Sequence, residues 1–340
     1  MIEDTFRLSS ARAYRETWPL ATPFVISRAR ADTTDLLVVE VQEGQWDGRC
    51  RGRGEACPIR RFGQGMEKAV AEAEAMLAAL RGGADWSKLY DLSSPGAARN
   101  AVDCALWDLR AKRAGKPIWE LLELPEWQPV ETVFTISVAA PEVMAAAARD
   151  AGPYPILKIK LGGSDDDSRI RAIRDAVPDK RLIVDVNEGW TLAELRRCLP
   201  AMIDAGVELI EQPLPAGRDQ ELAQLPRAAR ALPIGADESC HVASDVDRLV
   251  ELYDVVNIKL DKAGGLTEAL RMLDRARCAG LDVMVGCMLG TSLAMAPAMI
   301  LAQSSRFVDL DAPLLIGTDR TPAMVYKDGI VFPPSPEVWG

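Results

Sequence analysis

From about residue 130 onward, short runs of aliphatic and β-branched residues alternate with longer stretches of helical periodicity, the pattern of repeated βα units on a parallel sheet. The runs fall at 132–138, 156–161, 182–187, 208–213, 233–237, 255–260, 282–287 and 307–312. Thr191 and Glu194 form a capping-box pattern ahead of one amphipathic stretch, Ser244 and Asp247 offer a similar start, and Gly280 closes 267–279. Eight strands with seven intervening helices predict a (β/α)7β barrel of the TIM type over 126–312, α/β in class. An open doubly wound sheet shares this periodicity, because the pattern does not register closure.

Residues 1–125 lack the rhythm. There 5–17, 35–42 and 48–56 read as strands and 67–80 and 96–114 as helices, which predicts a separate α+β domain. The Pro- and Gly-rich stretch 313–340 reads as a return segment packing on that domain.

Several strands carry charge where a buried sheet should be apolar. Residues i and i+2 of a strand share a face, so Lys158 and Lys160 point into the barrel while Leu157, Ile159 and Leu161 face the helices. Asp185, Glu211 and Asp237 each end a later strand, spaced 26 residues apart in both intervals, so three carboxylates converge at one mouth. Such hard oxygen ligands suit Mg²⁺ or Mn²⁺ rather than zinc. Lys259 ends the following strand, across the barrel from Lys158 and Lys160. Asp309 and Asp311, again i and i+2, offer a place for a cationic group such as an ammonium, although a solvated pair would look the same in sequence.

Composition narrows the partners. A net charge of −10 with a pI near 4.9 argues against the basic surface that nucleic acid or an anionic membrane requires and favours a small-molecule partner. The N-terminal residues show no signal-peptide pattern and no long apolar run occurs, so a cytoplasmic location is expected. Seven cysteines without CxxC spacing read as reduced thiols. The single histidine, His241, excludes any site that needs two and reads as a loop or helix-start residue. GRGEA at 52–56 lacks the order of a dinucleotide fingerprint and reads as a tight turn, and Trp107 and Trp119 read as core or domain-interface residues rather than a cofactor box.

Taken together, GAARNAVDCALWDL at 96–109, KIK at 158–160, DVNEGW at 185–190, EQPLPA at 211–216, ADESCH at 236–241, NIKLDKAGGLTEAL at 257–270, GCMLGTS at 286–292 and DLD at 309–311 resemble the enolase superfamily, in its muconate-lactonizing-enzyme subgroup. Within the subgroup, NIKLDKAGG and DLD are similar to the dipeptide epimerases, notably those acting on L-Ala-D/L-Glu. The resemblance implies an N-terminal capping domain over the barrel and one Mg²⁺ per subunit on Asp185, Glu211 and Asp237. It implies Lys160 and Lys259 as the two acid/base groups, serving the L- and D-configured residue respectively. Lys158 would help neutralise the substrate carboxylate and lower the proton affinity of Lys160.

By the same resemblance Asp309 and Asp311 would hold the dipeptide ammonium. Arg28, in the loop after PFVIS, is the candidate for the glutamate side-chain carboxylate, with Arg30 competing, and Thr135 is a further substrate-binding candidate. A role in cell-wall peptide metabolism would follow, and a homo-oligomer is compatible with the sequence. The rival within enzymes is muconate cycloisomerisation or o-succinylbenzoate synthesis, whose substrates carry no ammonium for the acid pair. A catalytically silent dipeptide-binding protein would be expected to have lost a lysine or a metal ligand.

Overall fold

The computed structural model describes residues 6–26, 29–44 and 50–340. Its first part is a three-stranded antiparallel sheet of β1 (Leu8–Ile26), β2 (Ala29–Glu43) and β3 (Arg51–Ala56), covered by α1 (Met66–Arg81) and α2 (Ala97–Ala114). Both glycines of GRGEA lie inside β3 rather than in a turn. A Cβ at Gly52 or Gly54 would overlap the carbonyl oxygen of Ala105 or Ala101, so the two glycines let α2 lie directly on the strand.

The second part begins with β4 (Val130–Glu131) and continues as an eight-stranded parallel sheet in sequential order: β5 (Phe134–Ile136), β6 (Ile156–Lys160), β7 (Arg181–Asp185), β8 (Val207–Glu211), β9 (Ile234–Ala236), β10 (Val255–Lys259), β11 (Asp282–Gly286) and β12 (Phe307–Val308). The ends meet. Val133 donates its N–H to the Val308 carbonyl at 3.0 Å, and the Leu310 N–H reaches the Thr132 hydroxyl at 3.0 Å. The sheet therefore closes into a TIM-type barrel, and the open doubly wound alternative falls away.

Six of the seven connections are α-helical: α3 (Pro141–Asp150), α4 (Asp166–Ala176), α5 (Leu192–Asp204), α6 (Ala243–Leu249), α7 (Leu266–Cys278) and α8 (Ser292–Ala302). The connection between β8 and β9 holds only 3₁₀ turns at Asp219–Gln224 and Arg227–Ala229, a departure from the seven helices expected. Pro215, Pro226 and Pro233 punctuate this connection. Thr191 and Glu194 form the expected capping box. α6 starts before Ser244: the Asp245 carboxylate takes the N–H groups of His241 and Val242 at 2.9 and 3.0 Å, outcompeting the weaker serine cap.

The two parts interlock through α2. Trp107, buried beside Trp86, donates to the Thr267 hydroxyl at 2.9 Å, and Arg99 donates to the carbonyls of Ala263 and Gly264 at 2.8 and 3.1 Å. The C-terminal stretch first adds a hairpin, β13 (Tyr326–Lys327) and β14 (Ile330–Val331), beside β4. It ends against α2, where Trp339 donates to the Cys104 carbonyl at 3.0 Å and the Gly340 N–H to Asp108 at 2.7 Å. All seven cysteines are free thiols. Among the described residues, no helix is long and apolar enough to cross a membrane.

Candidate active site

The interior of the barrel is layered. Val133, Ile156, Ile183, Leu209, Val255, Met284 and Phe307 form a separate buried cluster inside it. Two residues further along the same strands, on the same face, stand Thr135, Lys158, Asp185, Glu211, Asn257 and Asp309, and two further still Lys160, Lys259 and Asp311. The strands' period of two thus stacks a polar layer on an apolar plug, at the C-terminal mouth where barrel active sites are built.

Register brings these residues together. Lys160 pairs with Asp185 and Asp185 with Glu211 across β6, β7 and β8, and Asp237 follows directly after β9. Asp185, Glu211 and Asp237 are buried and each offers a carboxylate oxygen within 4.8 Å of the others. The Lys158 ammonium lies 2.8 Å from Glu211, 3.2 Å from Asp185 and 2.6 Å from Asp309. Lys160 donates to Asp185 at 2.7 Å and Lys259 to Asp237 at 2.8 Å. The three lysines retain 1, 6 and 5% of their surface (Lys158, Lys160, Lys259).

Burial alone would raise Asp185, but Lys160 and Lys158 outweigh it and hold that carboxyl below the usual range. Burial is likewise outweighed at Asp237 by Lys259 and Lys262. Glu211, where desolvation and the charge of Asp185 prevail, is pushed up to about 7. Desolvation works against the ammonium of Lys259, yet Asp237 dominates and raises it.

The donor set fits a hard divalent cation. Three buried carboxylates converge, and Oε2 of Glu211 accepts no hydrogen bond although it lies beside the Lys158 ammonium. An all-carboxylate, oxygen-only cluster is the chemistry of Mg²⁺.

Above the polar layer is a cavity of about 320 Å³. Its barrel wall includes Thr135, Lys158, Lys160, Lys259, Asp309 and Asp311, and its other wall comes from the end of β1, the start of β2 and the segment after β3. The Asp311 carboxylate accepts the Thr135 N–H at 2.7 Å, and burial together with Asp309 pushes its carboxyl up to about 7. β12 ends at Val308, so both aspartates lie just beyond the strand rather than on it as expected. Arg28 lies outside the described residues. Arg30 is exposed, pairs with Asp32 at 3.3 Å and does not line the cavity.

Sequence reasoning missed two buried supports. Lys262 contacts Asp237 through both its carboxylate and its carbonyl, and also donates to the carbonyls of Cys240 and Asn257 at 2.9 and 3.2 Å. Asn257 donates to Glu211 at 2.6 Å. The i, i+2 rule that selected Lys158 also places Asn257 beneath Lys259, so that signal was present in the sequence. Lys262 sits on the turn after β10 and has no strand pattern to reveal it. His241 opens α6, its ring edge-on to Phe62 with centroids 4.7 Å apart and one ring nitrogen 3.0 Å from the Glu238 carbonyl.

Residues 142–335 match the enolase C-terminal domain-like family and residues 9–123 the mandelate racemase / muconate lactonizing enzyme N-terminal domain. The L-Ala-D/L-Glu epimerase of Escherichia coli (strain K12) is 40% identical over 95% of this chain and 99% of its own. An enolase family member from Agrobacterium tumefaciens, with homology to dipeptide epimerases and solved with bound sodium and L-Ala-L-Glu, superposes with a TM-score of 0.92 at 45% identity, covering 97% of this chain and 99% of that one. A dipeptide epimerase from Methylococcus capsulatus, complexed with Mg and L-Arg-D-Lys, superposes at 0.87 with 31% identity, covering 97 and 98%.

Proposed function

The chain belongs to the mandelate racemase / muconate lactonizing enzyme family of the enolase superfamily, and on that premise we propose that it is a dipeptide epimerase of the L-Ala-D/L-Glu type. The observation that carries this reading is the pair of buried lysines, Lys160 on β6 and Lys259 on β10, each touching one acid of a single three-carboxylate cluster beneath one cavity. Relatives that bind Ala-Glu and other dipeptides support the substrate class.

In this scheme the dipeptide's ammonium meets Asp309 and Asp311, and its C-terminal α-carboxylate lies toward Lys158. Mg²⁺ held by Asp185, Glu211 and Asp237 would supply fixed positive charge against the negative charge that develops on that carboxylate when the α-proton leaves. Lys160 removes the proton from the L-configured residue and Lys259 delivers one to the opposite face, with the roles exchanged in reverse. A base must be neutral when it acts, and in this scheme each lysine alternates between its neutral and charged form as the proton passes. The Asp309 and Asp311 pair favours a cationic substrate group over the substrates of cycloisomerases. A cytoplasmic location and work on cell-wall peptides accord with this chemistry.

Proton NMR with L-Ala-L-Glu and Mg²⁺ in D₂O tests the proposal. Loss of the glutamate α-proton signal with appearance of L-Ala-D-Glu is expected. Absence of exchange with Ala-Glu and with other dipeptides would refute it.

A further inference from the structure

Lys160 closes β6, and the sheet holds it from one side only. It pairs with Asp185 on β7, but toward β5 the ladder stops one residue short, where Ile159 lies opposite Ile136. The chain then leaves the strand through Leu161, Gly162 and Gly163. The Leu161 N–H still reaches the Asp185 carbonyl at 2.9 Å, and Gly162 turns at φ 127°, a conformation that favours glycine. A lysine at the end of a strand, followed by two glycines, depends on some further support to keep its ammonium at a fixed place over the site.

Asp166 supplies that support. It is the first residue of α4 and is fully buried, and its carboxylate gathers four donors. Oδ2 accepts the N–H groups of Gly162 and Gly163, both at 2.8 Å, and the indole N–H of Trp190 at 2.7 Å, while Oδ1 accepts Arg169 at 2.7 Å. Four donors fill the accepting capacity of a carboxylate, and bonds to an ionised acceptor are stronger and shorter than neutral ones. Trp190 is buried in the loop after β7, where the backbones pack so closely that a Cβ on Gly189 would come within 2.7 Å of the Gly162 Cα. Arg169 reaches the other way and donates to the Ala139 carbonyl, beyond β5, at 2.9 Å. One carboxylate thus joins the loops that follow β5, β6 and β7, with Lys160 at the base of the middle one. Lys259 stands across the barrel and is braced separately, by Asp237 and by the turn Leu260–Ala263, neither of which bonds to Asp166.

We infer that Asp166 is a positioning residue for Lys160 alone, fixing the loop after β6 so that this lysine, and not its counterpart, meets the α-proton in a productive geometry. The inference rests on the two-base reading above and deepens it: the two faces of the substrate are served by lysines that are braced independently. Asp166 touches neither substrate nor metal ligand, so it acts only through the chain that carries Lys160.

The test is α-proton exchange with D₂O at saturating dipeptide and Mg²⁺, followed by NMR. Asp166→Asn is combined with Lys259→Ala, where Lys160 alone exchanges L-Ala-L-Glu, and with Lys160→Ala, where Lys259 alone exchanges L-Ala-D-Glu. Exchange of the L-configured dipeptide is expected to fall about 10- to 100-fold, as for a base displaced by about 1 Å, and exchange of the D-configured one by less than about 3-fold. Arg169→Met, which leaves the carboxylate its other three donors, should lose about 3-fold on the L-configured dipeptide only, as for one hydrogen bond, and carries the test should Asp166→Asn fail to fold. Equal losses on both dipeptides would make Asp166 a general scaffold residue, and no loss on either would free Lys160 from it; each overturns the inference while leaving the epimerase intact. If Lys259→Ala and Lys160→Ala exchange neither dipeptide before Asp166 is touched, the two-base reading itself fails and takes this inference with it.

Discussion

Asp261 offers a sharp test of how the cap strand is tied to the barrel. It follows Lys259 by two residues, is 7% exposed, and its Oδ1 accepts the Cys57 N–H at 2.8 Å and the Asn100 amide at 3.2 Å. Burial outweighs those donors and pushes its carboxyl from 3.8 up to about 6. A carboxyl that holds its proton more tightly when folded favours the folded state below its unfolded value and loses that contribution as pH rises through its folded value. The difference amounts to about 3 kcal/mol at full ionisation. Asp261→Asn keeps the acceptor oxygen and removes the charge, so the variant should gain on the wild type as pH rises. Between about pH 4.5 and about pH 8 the stability difference should move by about 2 kcal/mol, or about 3 °C in Tm for a chain of this length. Any constant offset from altered packing cancels, because only the pH dependence of the difference is read. Thermal melts of both proteins across that window would check it. Parallel Tm curves, or a difference that moves in the opposite direction, would refute the assignment of a costly buried charge at Asp261.

The two lysines should separate in half-reactions: Lys259→Ala should still exchange the α-proton of L-Ala-L-Glu with D₂O while forming no D-epimer, and Lys160→Ala should exchange only the D-configured dipeptide, both followed by NMR. Exchange of both epimers by either variant would rule out the two-base scheme. Chelation of the metal should abolish turnover and lower Tm, with both restored by Mg²⁺; at a hundredfold excess over Kd the stabilisation is about 2.7 kcal/mol, or about 4 °C for this chain, readable by calorimetry. An unchanged Tm on adding Mg²⁺ to the stripped protein would count against the Asp185, Glu211 and Asp237 site.

The barrel and its polar layer were legible because they rest on a period. Eight β-branched runs set the strand count, and the i, i+2 rule points Lys158 and Lys160 inward from the sequence alone. The spacing of Asp185, Glu211 and Asp237 then located the mouth. What escaped had no period to betray it. The connection between β8 and β9 folds as 3₁₀ turns rather than an α-helix, the glycines of GRGEA answer to a helix about 50 residues away in sequence, and Arg61 reaches the cavity only because the chain folds the segment after β3 over the barrel. Long-range packing of that kind is invisible to a local window.

Lys262 explains a feature of the site that the lysine pair alone leaves unsolved. In the proposed two-base scheme, when Lys160 gives up its proton the buried Asp185 loses an ion pair at 2.7 Å, and when Lys259 does so Asp237 loses one at 2.8 Å. Mg²⁺ on the carboxylate cluster would remain as one partner, but any loss of compensating charge around a buried carboxylate opposes the neutral form each base requires. Each acid, however, has a second ammonium. Asp185 keeps Lys158 at 3.2 Å, and Asp237 keeps Lys262, whose own ammonium is fastened to three backbone carbonyls. The two halves of the site thus share one arrangement, an exchangeable lysine and a fixed one on a common carboxylate, built from different elements: i, i+2 on strand β6, and strand β10 with the turn that follows it. The equivalence is chemical rather than positional, and in the proposed scheme it lets either face of the substrate meet a base whose deprotonation leaves its carboxylate one ammonium beside the metal.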